Sequence, residues 1–374
     1  MATEATQTER DAFVERIVGA LGATIDVASI YLGDTLGFYR ALAADGPQTT
    51  SDLAAATDTN ERYVREWCEQ QTITGILSLD DPTAPVEQRQ YSLPEPHVEV
   101  LVDEESLNFL APFAQLMVGM VSPIEQVVEA YRTGGGVAYA DYGHETHDGI
   151  ARGNRPSFVH LLGQEWLPSI PDVDSSLRRV GARVADIGCG YGYSAIGMAR
   201  AYPTVTVDGF DFDAGSVATA RENVAEAGLE DRVRIHQGDA AELAVDDVGE
   251  YDLVTVFEAV HDMADPVGAL RTMRQLAGDD GVVLVVDERA GDSLGDPSDI
   301  EVLLYGFSIL HCLPVAMADQ PSAATGTVMR TDTFRDYAEK AGFASVEVLP
   351  IENFFWRFYR LDVGKSPQPT GESS

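Results

Sequence analysis

One short stretch constrains this chain more than any other: Val184-Ala185-Asp186-Ile187-Gly188-Cys189-Gly190-Tyr191-Gly192-Tyr193. An apolar, strand-like run stops at glycines spaced G-x-G-x-G, and a helix-forming run follows. Glycines at that spacing remove Cβ atoms, so a ligand can lie against the backbone. The dinucleotide fingerprint G-x-G-x-x-G needs its third glycine at position 193, where Tyr193 stands. Asp186 lies just before the loop. A carboxylate there repels a pyrophosphate resting on the loop, but suits a ligand carrying an ammonium or sulfonium cation.

The loop heads an alternating pattern of strands and helices that begins near Arg178. Strands are expected at 183–187, 205–210, 233–236, 251–257 and 282–287, then at 346–349 and 354–361. Helical stretches separate the first five. One of them, 265–277, opens with Asp265-Pro266 and closes at Gly278, the usual start and stop chemistry. Five strands with crossovers imply a parallel, right-handed, doubly wound sheet. The last two strands are joined only by Pro350 to Asn353, too short a link for a helical crossover. That pair must be a hairpin, with one strand antiparallel.

Acids stand at the carboxyl ends of three of these strands. Asp186 ends the first, Asp211 in Gly209-Phe210-Asp211-Phe212-Asp213 the second, and Asp239 in Gln237-Gly238-Asp239-Ala240 the third. An acid about 20 residues past the loop can accept both hydrogens of a ribose diol. Asp211 is the better candidate, with Phe212 or Asp213 beside an adenine and Asp239 accepting from its amino group. A lone aspartate here would read as a helix cap. Three in this order, around this loop, read as a site for S-adenosylmethionine (SAM), which carries both an ammonium and a sulfonium.

At these residues the chain resembles class I SAM-dependent methyltransferases, over about 178–362, and in layout the winged-helix-bearing members related to small-molecule O-methyltransferases. The resemblance implies a Rossmann-like α/β fold: a seven-stranded doubly wound sheet whose last strand is antiparallel, with an N-terminal α-helical winged-helix domain. It makes SAM the cofactor and places Asp186, Gly188, Cys189, Gly190 and Gly192 on its methionine side. Asp211 becomes the ribose ligand, with Phe212 beside the base, and Asp239 and Ala240 become the adenine contacts. Glu258, in the loop after the fourth strand, is counted with the cofactor-binding residues. Cys189 reads as a small buried spacer rather than a nucleophile.

The fourth strand runs into Phe257-Glu258-Ala259-Val260-His261-Asp262-Met263. His261 and Asp262 fall beside the crevice, where several small-molecule O-methyltransferases have a His-Asp pair. His261 is read as a general base, neutral at cellular pH with an ordinary pKa near 6.5. Asp262 either orients it or caps the following segment. The insertion 288–330 is expected to help form the acceptor pocket. Within it, adjacent His311-Cys312 lacks further ligands at usable spacing, and no metal is expected.

Upstream, Phe13, Ile17, Leu21, Ile25, Ala28 and Leu32 recur at helical spacing from Asp11 to about Gly33, after a polar, frayed start. A short helix over 50–56, a second one after Asn60 carrying Tyr63, Val64, Trp67 and Cys68, and two short strands near 75–79 and 90–93 complete a winged-helix order. The division expected is 1–105 for the N-terminal helix and winged helix, 106–177 for a helical linker and lid interrupted at Pro112 and Pro123, 178–363 for the SAM-binding domain, and 364–374 for a disordered tail.

Composition decides between two uses of that winged helix. The chain of 374 residues has a formal charge of −36, and Lys340 and Lys365 are its only lysines. Dispersed acids with so little lysine suit a cytosol of very high salt, where screening shortens repulsion to a few ångströms. Residues 49–90 hold three arginines (Arg62, Arg65, Arg89) against eight acids. DNA affinity rests on phosphate neutralisation, so this face repels DNA at ordinary salt. The alternative, a DNA-binding regulator that retains a SAM-binding domain, is therefore disfavoured against an enzyme acting on a small-molecule acceptor. The apolar stripe of the first helix points to a homodimer. No run approaches the roughly 18 apolar residues of a membrane span, no basic leader precedes an apolar stretch, and a cytoplasmic protein is expected.

Overall fold

The computed structural model describes residues 4–243 and 251–364. The tail read as disordered lies, from residue 365 on, outside them. The chain forms two compact units, one made of residues 1–119 with 144–156, the other of 120–143 with 157–374.

In the first unit, the long helix Glu4–Thr35 starts earlier than its apolar repeat suggests. Helices Thr50–Ala56 and Glu61–Ile73 begin where Thr49 and Asn60 accept the backbone N–H groups of Asp52 and Arg62. Those side chains satisfy N–H groups that a helix start leaves without intrahelical partners. Strands β1 (Ser78–Leu79) and β2 (Tyr91–Ser92) pair antiparallel as the wing. Phe38, Tyr39, Leu53, Val64, Trp67 and Tyr91 form the core beneath them. The Trp67 indole donates to the Ser29 carbonyl at 2.9 Å, fastening the long helix to this core.

The second unit is built on a seven-stranded sheet of order β5-β4-β3-β6-β7-β9-β8. Its strands are β3 (Arg183–Ile187), β4 (Thr206–Asp211), β5 (Val233–Gln237), β6 (Leu253–Phe257), β7 (Val282–Glu288), β8 (Ser345–Val348) and β9 (Trp356–Asp362). β3 to β7 are parallel, and β9 runs antiparallel between β7 and β8. Alternating side chains feed two cores. Val184 and Leu253 pack with Leu162, Trp166 and Met198, while Ala185 and Val254 pack with Leu270, Met273 and Phe334. Strand order reverses between β3 and β6, so their carboxyl ends open the crevice where ligands bind in such sheets.

The stretch 106–177 is more regular than expected. Pro112 sits in the first turn of helix Ala111–Val121, where proline is tolerated, rather than interrupting it. Residues 137–175 contain helix Gly143–Ser157, the π-helical turns Phe158–Trp166 and helix Pro171–Leu177. Gly143, Gly149, Gly153, Pro156 and Gly163 argue against helix by propensity. Close packing accounts for two of them. A Cβ on Gly149 would lie 2.7 Å from the Leu116 amide nitrogen, and one on Gly163 would lie 2.1 Å from Ala201 Cβ.

Gly163→Ala is therefore expected to destabilise the protein by about 1–3 kcal/mol through overpacking, although alanine ordinarily favours a helix over glycine by about 1 kcal/mol. Gly19→Ala, with nothing within 4 Å of the new methyl, should be neutral or stabilising. Urea unfolding followed by tryptophan fluorescence compares the two.

Candidate functional site

The loop leaves β3 and enters helix Tyr193–Ala201 with Gly188, Gly190 and Gly192 at φ of 63°, 51° and 79°. These are left-handed conformations that a side chain would strain. The backbone closes on itself at once: Gly192 N–H donates to the Cys189 carbonyl at 2.8 Å, and Cys189 N–H to the Phe210 carbonyl at 3.1 Å. Gly190 N–H donates to Asp211 Oδ2 at 2.9 Å, while Asp213 N–H donates to Asp211 Oδ1 at 2.9 Å. The acid at the end of β4 thus braces the loop and keeps one further lone pair on each oxygen. Burial raises its pKa, against the backbone N–H groups that lower it. Phe212 stands exposed beside it, its ring 5.8 Å from that of Tyr139.

Asp186 is placed differently from the sequence expectation. It has no exposed surface, and its two oxygens accept from Ser194 Oγ at 2.5 Å and Thr255 Oγ1 at 2.8 Å. Burial pushes its pKa up to about 6. It holds the loop's base from beneath, and no part of it opens into the crevice. Cys189 is also enclosed, and burial keeps its thiol protonated. Asp239 is exposed and accepts the Ala241 N–H at 2.8 Å, with Ala240 packed on the adjoining core. Glu258 takes a left-handed φ of 49°. Its N–H donates to the Val286 carbonyl at 2.8 Å and its carboxylate accepts from the Trp356 indole, bonds that hold the strained residue in place.

His261 and Asp262 lie on the short turn Val260–Asp262 after β6. His261 is only 2% exposed. Its Nδ1 is 2.7 Å from Asp287 Oδ1 and 2.9 Å from Glu288 Oε2, both at the end of β7, and its Nε2 is 3.2 Å from Asp262 Oδ1. Burial opposes the charged ring, but Glu288, Asp287 and Asp262 outweigh it and hold the pKa well above 6.5. This differs from the reading of His261 as a base neutral at cellular pH: both nitrogens face carboxylates inside the protein. Of the pair, Asp262 keeps a partly exposed side chain, at 21%. Burial works against its charge too, yet His261, with His311 and Cys312, holds its pKa below the ordinary value.

The insertion brings up residues whose position was not legible. After helix Glu301–Phe307, the π-helical turn Ser308–Cys312 carries His311 and Cys312. The His311 ring stands edge-on to Tyr142 at 4.5 Å and to Tyr139 at 5.9 Å, and Cys312 Sγ is 3.5 Å from its Nδ1. Burial, then the charges of Asp211 and Asp262, push the Tyr139 hydroxyl well above its ordinary pKa. The sequence signalled these residues only as the adjacent pair His311-Cys312; the π-turn gave no signal.

Comparisons with known proteins fit this geometry. Residues 179–328 match a methyltransferase domain family, and residues 25–102 an Rv2258c-like winged HTH domain. Solved structures with the same fold include the mitomycin 7-O-methyltransferase MmcR (TM-score 0.71, 20% identity, 95% of this chain and 99% of that one). Human N-acetylserotonin methyltransferase is another (TM-score 0.69, 15% identity, 96% and 98%). The ubiquinone biosynthesis O-methyltransferase of Aromatoleum aromaticum is 34% identical over 125 residues, 33% of this chain and 49% of that protein. As there, the chain spans about half the length or less of several curated relatives it matches. The namesake enzyme of Bordetella pertussis is 36% identical over 198 residues, which are 53% of this chain and 78% of that protein. With that coverage, the loop and the sheet order together, the chain belongs to the SAM-dependent methyltransferases, in the form that carries an N-terminal winged-helix-like region.

Proposed function

We propose that this protein transfers the methyl group of SAM to a small-molecule acceptor through a hydroxyl oxygen. The observation that carries this reading is the bond between the Gly190 amide and Asp211, which holds a carboxylate beside the glycine loop, where it would accept from a ribose diol. Gly188, Cys189, Gly190 and Gly192 would lie along the methionine side, with Asp186 supporting them from below. Asp211 would take the ribose diol, Phe212, Asp239 and Ala240 the adenine, and Glu258 would close the site near the sulfonium. That relatives are O-methyltransferases supports oxygen as the nucleophile. The methyl is already activated by its sulfonium leaving group, so the protein must align the acceptor near 3 Å and take up its proton. Asp262, the more exposed member of the catalytic pair, would accept a hydrogen bond from that hydroxyl and orient it, with His261 acting through it as its fixed partner.

The winged-helix region, in this reading, joins two copies of the chain. Phe13, Val14, Val18, Leu21 and Ile25 on helix Glu4–Thr35 are all more than half exposed, and such a surface demands cover. Against DNA, each arginine counted in the sequence already faces an acid: Arg62 with Glu66 at 2.5 Å, Arg65 with Glu61 at 2.7 Å and Arg89 with Glu69 at 3.6 Å.

Calorimetry in molar salt should show SAM and its demethylated product binding, with Asp211→Ala weaker by about 1–3 kcal/mol, the scale of an unpaired buried polar group. Tight NAD binding with no heat from SAM would overturn the cofactor assignment. Once an acceptor is found with labelled SAM, Asp262→Asn should lower turnover by roughly 10²–10⁴ and leave SAM affinity nearly unchanged. Light scattering should give the mass of a dimer, and Val18→Glu with Leu21→Glu that of a monomer.

A further inference from the structure

In the His261 cluster one imidazole edge stands against two carboxylates. One Nδ1–H faces two carboxylate oxygens, Asp287 Oδ1 at 2.7 Å and Glu288 Oε2 at 2.9 Å. A single N–H directed at Asp287 leaves Glu288 Oε2 with no hydrogen-bond partner, and Asp287 Oδ2 is a second buried oxygen without one. These side chains are deeply enclosed, at 2% exposure for His261, 1% for Asp287 and 8% for Glu288. An unpaired carboxylate oxygen at such depth costs more than an ordinary lost hydrogen bond.

We propose that His261, Asp287 and Glu288 bind a first-row divalent cation of the zinc or manganese type. Among the described residues they form a group whose ligand atoms all lie within 4.8 Å of one another. Burial and the neighbouring Asp287 push the Glu288 carboxyl well above its ordinary range, so an ion would bind by displacing protons from Glu288 and His261; the neutral imidazole and two carboxylates would then carry a charge of −2 to match it, and mixed nitrogen and oxygen donors suit zinc and manganese. Ligands 2.0–2.2 Å from one ion stand roughly 3 Å or more apart. The present spacings need open by only a few tenths of an ångström.

The far side of the ring supports the same assignment. A histidine bound to metal through one nitrogen ordinarily donates its other N–H to a carboxylate. Here Nε2 faces Asp262 Oδ1 at 3.2 Å. Asp287 is fixed in turn, since its Oδ1 accepts the Glu288 N–H at 2.9 Å. The ion would clamp the turn after β6 to the end of β7. The cluster would bind it whether or not the methyl-transfer reading holds.

Cys312 also lies near His261, in a group with Asp262 on the Nε2 side. The structure favours the Nδ1 side, where the orphaned oxygens are.

The test is metal binding by the full chain, stripped with chelator and dialysed against Zn²⁺ or Mn²⁺ in molar potassium chloride, so that salt competes away diffuse binding to the acidic surface. Elemental analysis should find one more tightly held ion per chain in the wild type than in Glu288→Gln, whose affinity should be at least tenfold weaker. Cys312→Ser should keep the ion. Equal binding in wild type and Glu288→Gln would overturn the proposal, as would loss in Cys312→Ser alone. Should Glu288→Gln fail to fold, X-ray absorption on the zinc-loaded wild type decides. A nitrogen and oxygen shell with one imidazole supports the site; sulfur in the shell, or no bound zinc, refutes it.

Discussion

A carboxylate at the end of one strand holds the amide of a glycine at the end of its neighbour, and the crevice takes its shape from that bond. Asp211 on β4 fixes Gly190 after β3. The parallel register of the two strands sets Ile187 opposite Phe210, so the loop and the acid emerge side by side. The loop's three left-handed glycines would otherwise be free to sample other turns. Asp186 and Ser194 brace it from below and Asp213 caps the helix beyond the acid.

The same arrangement concentrates negative charge where the strands end. Asp186, Asp211, Asp287 and Glu288 are all nine-tenths buried or more, on β3, β4 and β7. Burying so many carboxylates is costly unless each is hydrogen-bonded or paired. Asp186 is served by two hydroxyls and Asp211 by two backbone amides. The β7 acids share one imidazole and the Glu288 backbone amide, and Asp287 Oδ2 and Glu288 Oε2 are left without a hydrogen-bond donor.

What was legible in the sequence follows from how local each signal is. Strands β3 to β7 were placed within two residues at either end, because buried parallel strands read as apolar runs. The hairpin of β8 and β9 followed from a link too short for anything else. The loop and Asp211 could be paired by spacing alone. The partners of His261 could not: Asp287 and Glu288 lie 26 and 27 residues away and reach it because β6 and β7 are neighbours in the sheet. Nothing local distinguishes a histidine enclosed by three acids from one in solvent. The helices between 143 and 177 were obscured for a related reason. Gly149 and Gly163 weaken a helix taken alone and are needed only when another helix lies against it.

The position of β9 bears on how the protein is made. Among the described residues, β8 hydrogen-bonds within the sheet only to β9, and β9 in turn lies against β7. Translation delivers β8 first, so it must wait as an unpaired segment until residues 356–362 clear the ribosome. Trp356 begins that strand, and its indole bonds Glu258 beside the crevice. A chain stalled before Trp356 would hold five parallel strands with β7 as a bare edge, and an unpaired edge is an invitation to pair with another chain. The crevice is thus finished from its far side, by a segment synthesised after all five parallel strands.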